Sequence, residues 1–287
     1  MSPGAKLRSL FSRDKLPVLP GCHDVLGARL IETSGAPAGY ISGFCVATSY
    51  GKPDVGIMTM SDIVAEAGRI AGSVGIPILA DADTGYGGAV NIRETVREME
   101  RVGIAGLHLE DQKMPKRCGA LAGKELVSDE EMAFRLRVAL QSRRSPDFLI
   151  MARTDAMTLF GIDEVVRRCK MMEKAGAEAI MVPSLSTPQE LEAVATSVKI
   201  PVAYVAAEGI RPMYTTSQLA KFGFQMALYP LSLIMVSAGI QARLLRTLIE
   251  TGTTESLMPE MMKFADVGAL VGTAEAAQFE AELLKGA

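Results

Sequence analysis

The chain has 287 residues, 48% of them hydrophobic and 22% charged, and a formal net charge of −3. That is enough apolar material for one large core or two small ones, and the slight acidity gives no electrostatic reason to expect nucleic acid or an anionic membrane as partner. Four widely spaced cysteines (Cys22, Cys45, Cys118 and Cys169) with no CxxC pair speak against a zinc ribbon or a disulfide framework and fit a reducing cytoplasm.

The first residues, MSPGAKLRSLFSRDKLPVLPG, lack the apolar stretch of a secretory signal. Short apolar runs then alternate with longer segments of helical period. The runs are PVLPG from Pro17, YISGF from Tyr40, PILADAD from Pro77, GLHLED from Gly106, FLIMARTD from Phe148, AIMVP from Ala179, PVAYV from Pro201 and QMALYP from Gln225. Helices are predicted over Asn91 to Arg101, Asp129 to Arg143 and Asp163 to Ala175; in the first, Ile92, Val96 and Met99 share one face. Ser128 or Asp129 is placed to cap the second. The most hydrophobic window, Met226 to Ile240, contains a proline and is shorter than the roughly 20 residues a spanning helix needs. It predicts a core strand running into a buried helix.

Strand and helix repeated eight times, with strands apolar on both faces, predict a parallel sheet closed by helices. Polar side chains end most of the runs: Ser42, Asp81 and Asp83, Glu110 and Asp111, Arg153 and Asp155, Ser184. In a (β/α)8 TIM-type barrel these ends converge on one rim. The expectation is therefore one barrel domain over residues 1–287, with a helical extension from about 233. An open doubly wound sheet is the alternative, but LPGCHDVLGARL after the first run lacks GxGxxG, and no Walker loop occurs.

Asp81, Asp83 and Glu110, with Asp54 and Asp111 nearby in sequence, would repel one another unless a cation sat among them, and all-oxygen ligation suits Mg²⁺ or Mn²⁺. Equally, each could pair with a lysine or arginine or cap a helix. The connection Gln112 to Ser128 is long, as lids often are. Within it Cys118 follows Lys116 and Arg117, cations that would lower a thiol's pKa and fit it for proton transfer; an incidental thiol on a solvated basic loop is the other reading. Cys22, Cys45 and Cys169 lie in apolar surroundings and suit packing.

The motifs ADADTGYGG, HLEDQ, PKRCG, IMARTDA and ALYPLS, in this order between about Leu16 and Ser232, resemble the isocitrate lyase and phosphoenolpyruvate mutase superfamily, closest in look to the 2-methylisocitrate and alkylmalate lyases. The resemblance implies a barrel whose last helix is exchanged between subunits, usually in a homotetramer. It also implies a Mg²⁺-dependent carbon-carbon lyase that releases an α-keto acid such as pyruvate from a small 2-hydroxy acid. By the same resemblance Asp81, Asp83 and Glu110 hold the metal, partly through water, and Asp54 is a further acidic position. Tyr40, Ser42 and Gly43 contact the keto-acid portion, Arg153 binds its carboxylate or oxyanion, and Glu208 is retained. Lys116, Arg117 and Cys118 form the catalytic part of the loop, Cys118 protonating the leaving carbanion.

Departures from that pattern are Ala120, Ser184, Val205 and Ala207 where the lyases carry polar groups. All fall where the departing half of the substrate would bind, which predicts a smaller or more apolar partner there. An oxaloacetate decarboxylase, a phosphonomutase-type enzyme and a degenerate keto-acid-binding protein are the other expectations.

Overall fold

Each of the eight apolar runs forms a parallel strand in the computed structural model, which describes residues 1–285 apart from Arg13, Asp14, Ala120, Ala207 and Ile210. The strands are β1 (Val18–Cys22), β2 (Gly39–Ile41), β3 (Ile78–Asp81), β4 (Gly106–Glu110), β5 (Leu149–Arg153), β6 (Ala179–Val182), β7 (Val202–Val205) and β8 (Met226–Tyr229). Each pairs with its sequence neighbours, and β8 pairs with β1 to close the barrel. The open doubly wound arrangement is thereby excluded.

The two-residue side-chain period of a strand divides the apolar residues into two cores. Leu19, Leu79, Leu149, Met151, Met226 and Leu228 fill the barrel interior. Leu7 and Leu10 join them, because the helix Pro3–Arg8 packs where β5 begins: Arg8 Nε donates to the carbonyl of Asp147 at 2.7 Å. The alternate residues, among them Ile41, Ile78, Leu107, Leu109, Ile150 and Ile180, form a second core with Ile63, Ile92, Val96, Leu136 and Leu191 of the surrounding helices. Burial on both faces explains why the strands are nearly continuous in apolar residues.

The helices Ala89–Arg101, Asp129–Ser142 and Ile162–Lys174 lie where their periodicity places them. Ser128, not Asp129, is the cap: its hydroxyl accepts the Glu131 N–H, satisfying a donor that the helix leaves unpaired. Ser128→Ala is expected to cost about 1 kcal/mol, measurable as a lower denaturation midpoint at unchanged m-value.

Contacts divide the chain into two compact units, Met1–Leu233 and Ile234–Ala287. Here one expectation is corrected. The window from Met226 does begin as a buried strand, but it does not continue into a buried helix: in Ser232–Thr251 only Ile234 is buried, and Val236, Leu245 and Ile249 are exposed. This helix is long and apolar enough to cross a membrane; Arg243 and Arg246 near its middle would each oppose insertion by about 2.5–3.5 kcal/mol.

Candidate active site

The inward residues at the carboxyl ends of the strands change from apolar to polar within one or two positions. Tyr40 and Ser42 come from β2 and its exit, Asp81 from β3, His108 and Glu110 from β4, and Arg153 from β5. Register pairs Asp81 with His108 and Glu110 with Arg153, so these side chains meet in adjacent layers. Arg153 places Nη1 3.2 Å from Glu110 Oε2 and 4.0 Å from Asp81 Oδ2, while its Nη2 donates to Asp155 Oδ1 at 2.9 Å. Asp81 Oδ1 accepts the N–H of Asp83, and its Oδ2 accepts the N–H of Gly43. A Cβ on Gly43 would stand 3.2 Å from oxygens of both Asp81 and Asp83, so glycine lets the backbone approach this pair. Asp83 (φ 47°) and Ser184 (φ 69°) are both left-handed, a strained conformation found where surroundings over-determine the backbone, often at active sites.

The acidic residues converge on one rim, as the strand ends predict, and there the pairing alternative is what the side chains show: each has a cation of this chain beside it. Lys116 Nζ lies 2.6 Å from Asp54 Oδ1 and 2.6 Å from Asp83 Oδ1, and Arg153 serves Glu110 and Asp155. Among the described residues no three His, Cys, Asp or Glu side chains stand close enough to hold a metal ion directly. The donor chemistry nevertheless fits a hard cation held partly through water. All three carboxylates are buried, and Glu110 Oε1 has no hydrogen-bond partner, which is costly for a carboxylate unless something else neutralises it.

Burial disfavours charge on Lys116 and Arg153, but the surrounding carboxylates outweigh it and hold both cations above their ordinary ranges. Burial pushes Asp83 up to about 7 against the pull of Lys116. His108 is fully buried, and burial pushes it down to about 4 despite the opposing effect of Asp81, so its ring is neutral at pH 7. Tyr40 shares a 2.7 Å hydrogen bond with His108 Nε2, and burial raises the phenol well above its usual range. A phenol so held acts as a hydrogen-bonding group and not as a base.

The loop from Gln112 is zipped at its base by pairing of Gln112 with Leu126 and by the Lys113 N–H donated to the Glu125 carbonyl. Its middle lies over the rim. The Cys118 N–H donates to the Asp54 carbonyl at 3.0 Å, and the Lys124 ammonium donates to the Gly119 carbonyl. A Cβ at Gly119 would be 2.9 Å from Arg153 Nη2, so glycine is what lets the loop descend onto the guanidinium. The two cations that precede Cys118 point to different places. Lys116 turns inward to the carboxylates, whereas Arg117 is exposed and donates to the Ala122 carbonyl. The sequence adjacency of Lys116 and Arg117 therefore does not become a shared direction.

One cavity takes in Tyr40, Ser42, Asp54, Asp81, Cys118 and Arg153 on its polar side and Phe44, Met181, Pro183, Val205, Pro230 and Leu231 on the other, with Ser184 at its edge. Gly43, Asp83, Glu110 and Lys116 stand immediately behind these polar residues. Arg117 and Glu208 are not part of its wall; Glu208 is engaged by the Ser232 hydroxyl. Of the positions that depart from the lyase pattern, Ser184 and Val205 line the cavity, while Ala120 and Ala207 lie outside the described residues. Cys22, Cys45 and Cys169 are buried packing residues, and none of the four cysteines is in a disulfide.

Two residues of the site, His108 and Gln112, were not singled out from sequence, and Asp155, expected on the rim, was given no role. His108 precedes Glu110 by two positions, the strand period that puts both in the barrel, and this signal was available. Asp155 and Gln112 act through other side chains, which no local pattern announces. Asp111, by contrast, faces outward: it accepts from the Thr154 hydroxyl, the Asp155 N–H and Arg168 and so braces the rim.

Residues 7–248 match the phosphoenolpyruvate phosphomutase family. The chain belongs to this family, within the PEP mutase/isocitrate lyase superfamily. It is 39% identical to 2,3-dimethylmalate lyase of Eubacterium barkeri over 274 residues, covering 95% of each chain. It is 34% identical to 2-methylisocitrate lyase of Aeropyrum pernix over 286 residues, covering 99% of this chain and 92% of that one. Among solved structures it superimposes on oxaloacetate acetylhydrolase bound to 3,3-difluorooxalacetate with a TM-score of 0.91, at 30% identity, covering 98% and 97% of the two chains. For phosphonopyruvate hydrolase in complex with oxalate and Mg²⁺ the TM-score is 0.90, at 29% identity, covering 99% and 100%.

Proposed function

We propose that the protein is a carbon-carbon lyase that splits a small 2-hydroxy acid of the alkylmalate type into an α-keto acid and a second acid, with Mg²⁺ as its cofactor. The observation that carries this reading is a thiol and a carboxylate-binding arginine on one cavity wall, Cys118 and Arg153, above a buried carboxylate cluster. Similarity to 2,3-dimethylmalate lyase and 2-methylisocitrate lyase supports the bond broken, and the solved relative with oxalate and Mg²⁺ supports the ion.

Asp81, Asp83 and Glu110 would hold the ion, which when bound acidifies the substrate hydroxyl and stabilises its oxyanion. Arg153 orients the keto-acid carboxylate, and Tyr40, fixed by His108, donates from beneath. Cleavage turns the hydroxyl into a carbonyl, its proton passing to the cavity carboxylate Asp54, and leaves a carbanion beside the second carboxylate. The Cys118 thiol gives that carbon its proton, and the resulting thiolate is reprotonated before the next turnover. The docked loop keeps water from competing as proton source.

The second half of the substrate meets Phe44, Pro183, Val205 and Leu231, with no cation among them. A carboxylate there beyond the one beside the carbanion, such as methylisocitrate carries, would go unpaired at about 1–3 kcal/mol per missing donor or more. A panel of 2-alkylmalates, methylisocitrate, oxaloacetate and phosphonopyruvate, assayed with Mg²⁺ for keto-acid release, is expected to favour the alkylmalates, and methylisocitrate to be poor. Turnover of oxaloacetate alone would select the second reading, oxaloacetate cleavage or decarboxylation, which needs only the polar side of the cavity.

The exposed apolar residues of the second unit, Ile249, Phe264, Phe279 and Leu284 among them, fit burial against further copies of the chain in a homo-oligomer. Light scattering is expected to give a dimer or larger assembly, which Ile249→Glu weakens; a stable wild-type monomer would remove this part of the reading.

A further inference from the structure

Gln112 stands at the end of β4, just beyond the acidic cluster, and is almost fully buried without touching the cavity. Its side-chain amide is completely used. Oε1 accepts the Arg117 N–H at 2.9 Å; Nε2 donates to the Arg117 carbonyl at 2.9 Å and to Asp155 Oδ2 at 3.0 Å. The other carboxylate oxygen of Asp155 accepts from Arg153 Nη2 at 2.9 Å. The three partners fix the amide's orientation chemically: one offers a hydrogen and two need one, which is the inventory of a primary amide and would be violated by its flipped form.

From this arrangement we infer that Gln112 is a positioning residue that couples the two working ends of the site. It grips the residue preceding Cys118 as a neighbouring strand would, and through Asp155 it holds Arg153. The thiol-bearing loop and the carboxylate-binding guanidinium are thus set by one amide, and loop closure and substrate orientation occur together. Arg135 reinforces the same point: its Nη1 donates to the Glu110 and Gln112 carbonyls and so fixes the backbone from which Gln112 projects. The inference rests on Cys118 and Arg153 being the groups that act on the substrate, but the coupling between them is measurable without turnover.

Gln112→Glu is nearly isosteric and keeps the acceptor for the Arg117 N–H. It sets an oxygen against the Arg117 carbonyl and against Asp155, breaking both donations. Gln112→Leu removes all three bonds without adding charge. In either variant the Cys118 thiol, followed by mass spectrometry of iodoacetamide-treated protein, is expected to alkylate about tenfold faster than in wild type, the equivalent of losing one or two net hydrogen bonds. Oxalate in the presence of Mg²⁺ is expected to bind both variants more weakly, because Arg153 loses its brace. Lys113→Ala, which disrupts an exposed pair with Glu125 on the same loop, is the control and leaves both readouts unchanged.

In wild type, hydrogen exchange is expected to show the Arg117 amide protected. This arm needs no variant and stands even if both substitutions unfold the protein. Alkylation at the wild-type rate in folded Gln112→Glu, or a freely exchanging Arg117 amide, would overturn the inference. A wild-type enzyme inactive on every 2-hydroxy acid, with alkylation still accelerated in the variants, would instead sink the lyase reading and leave the coupling intact.

Discussion

Serine at position 118 is expected to lower kcat by about 10²–10⁴-fold, the usual contribution of a positioned general acid, while oxalate and Mg²⁺ still bind. Serine exchanges only the sulfur for a smaller oxygen, and the loop is held at this residue by its backbone N–H on the Asp54 carbonyl, which serine preserves. What changes is acidity: a hydroxyl releases its proton far less readily than a thiol. The loss should therefore fall on the step that protonates the carbanion and leave substrate affinity almost untouched. Solvent-isotope incorporation into the second product checks the assignment. Undiminished turnover by Cys118→Ser would take the thiol out of the mechanism.

The second large effect is expected from Arg153→Met. The guanidinium faces Glu110, Asp155 and Asp81, all buried, and removing one partner of a buried ion pair leaves uncompensated charge at about 3–5 kcal/mol. Arg153→Lys should recover only part of this, because an ammonium cannot reach the same partners as the guanidinium fork. Oxalate binding should be lost in the Met variant.

The deficit also carries a pH signature. Burial holds Glu110 well above the usual carboxylate range even with Arg153 pulling the other way. Without Arg153 its folded-state value rises further above that of the unfolded chain. Such a raised group contributes stability that is fully present below its unfolded value, near 4.3, and is lost as pH rises through the folded one. The difference between wild type and variant should thus grow as pH rises through the raised Glu110 value and shrink as pH falls. Denaturation at several pH values tests this, and a deficit that widens on acidification would contradict the charge-balance account of Arg153.

The barrel was legible in the sequence because its signals are local. Eight runs buried on both faces had to be continuously apolar, the helices between them carried a 3.6-residue period, and the polar residues closing each run marked the rim. Asp81, Asp83, Glu110 and Arg153 were found that way, since a parallel barrel puts every strand's carboxyl end at one rim. Local patterns failed where apolarity did not translate into burial. The helix Ser232–Thr251 is as apolar as a core element, yet it is exposed.

The sequence by itself determined the architecture, the set of rim residues and the presence of a thiol beside two cations. Only the tertiary structure decided what each of these faces. Lys116 turns to Asp54 and Asp83 while Arg117 turns to the outer side of the loop, and Gln112, which holds Arg117, reaches Asp155 43 positions away along the chain. Periodicity reports the environment averaged over one element, whereas a side chain's partner is set by the relative placement of separate elements, information that no single stretch of chain contains.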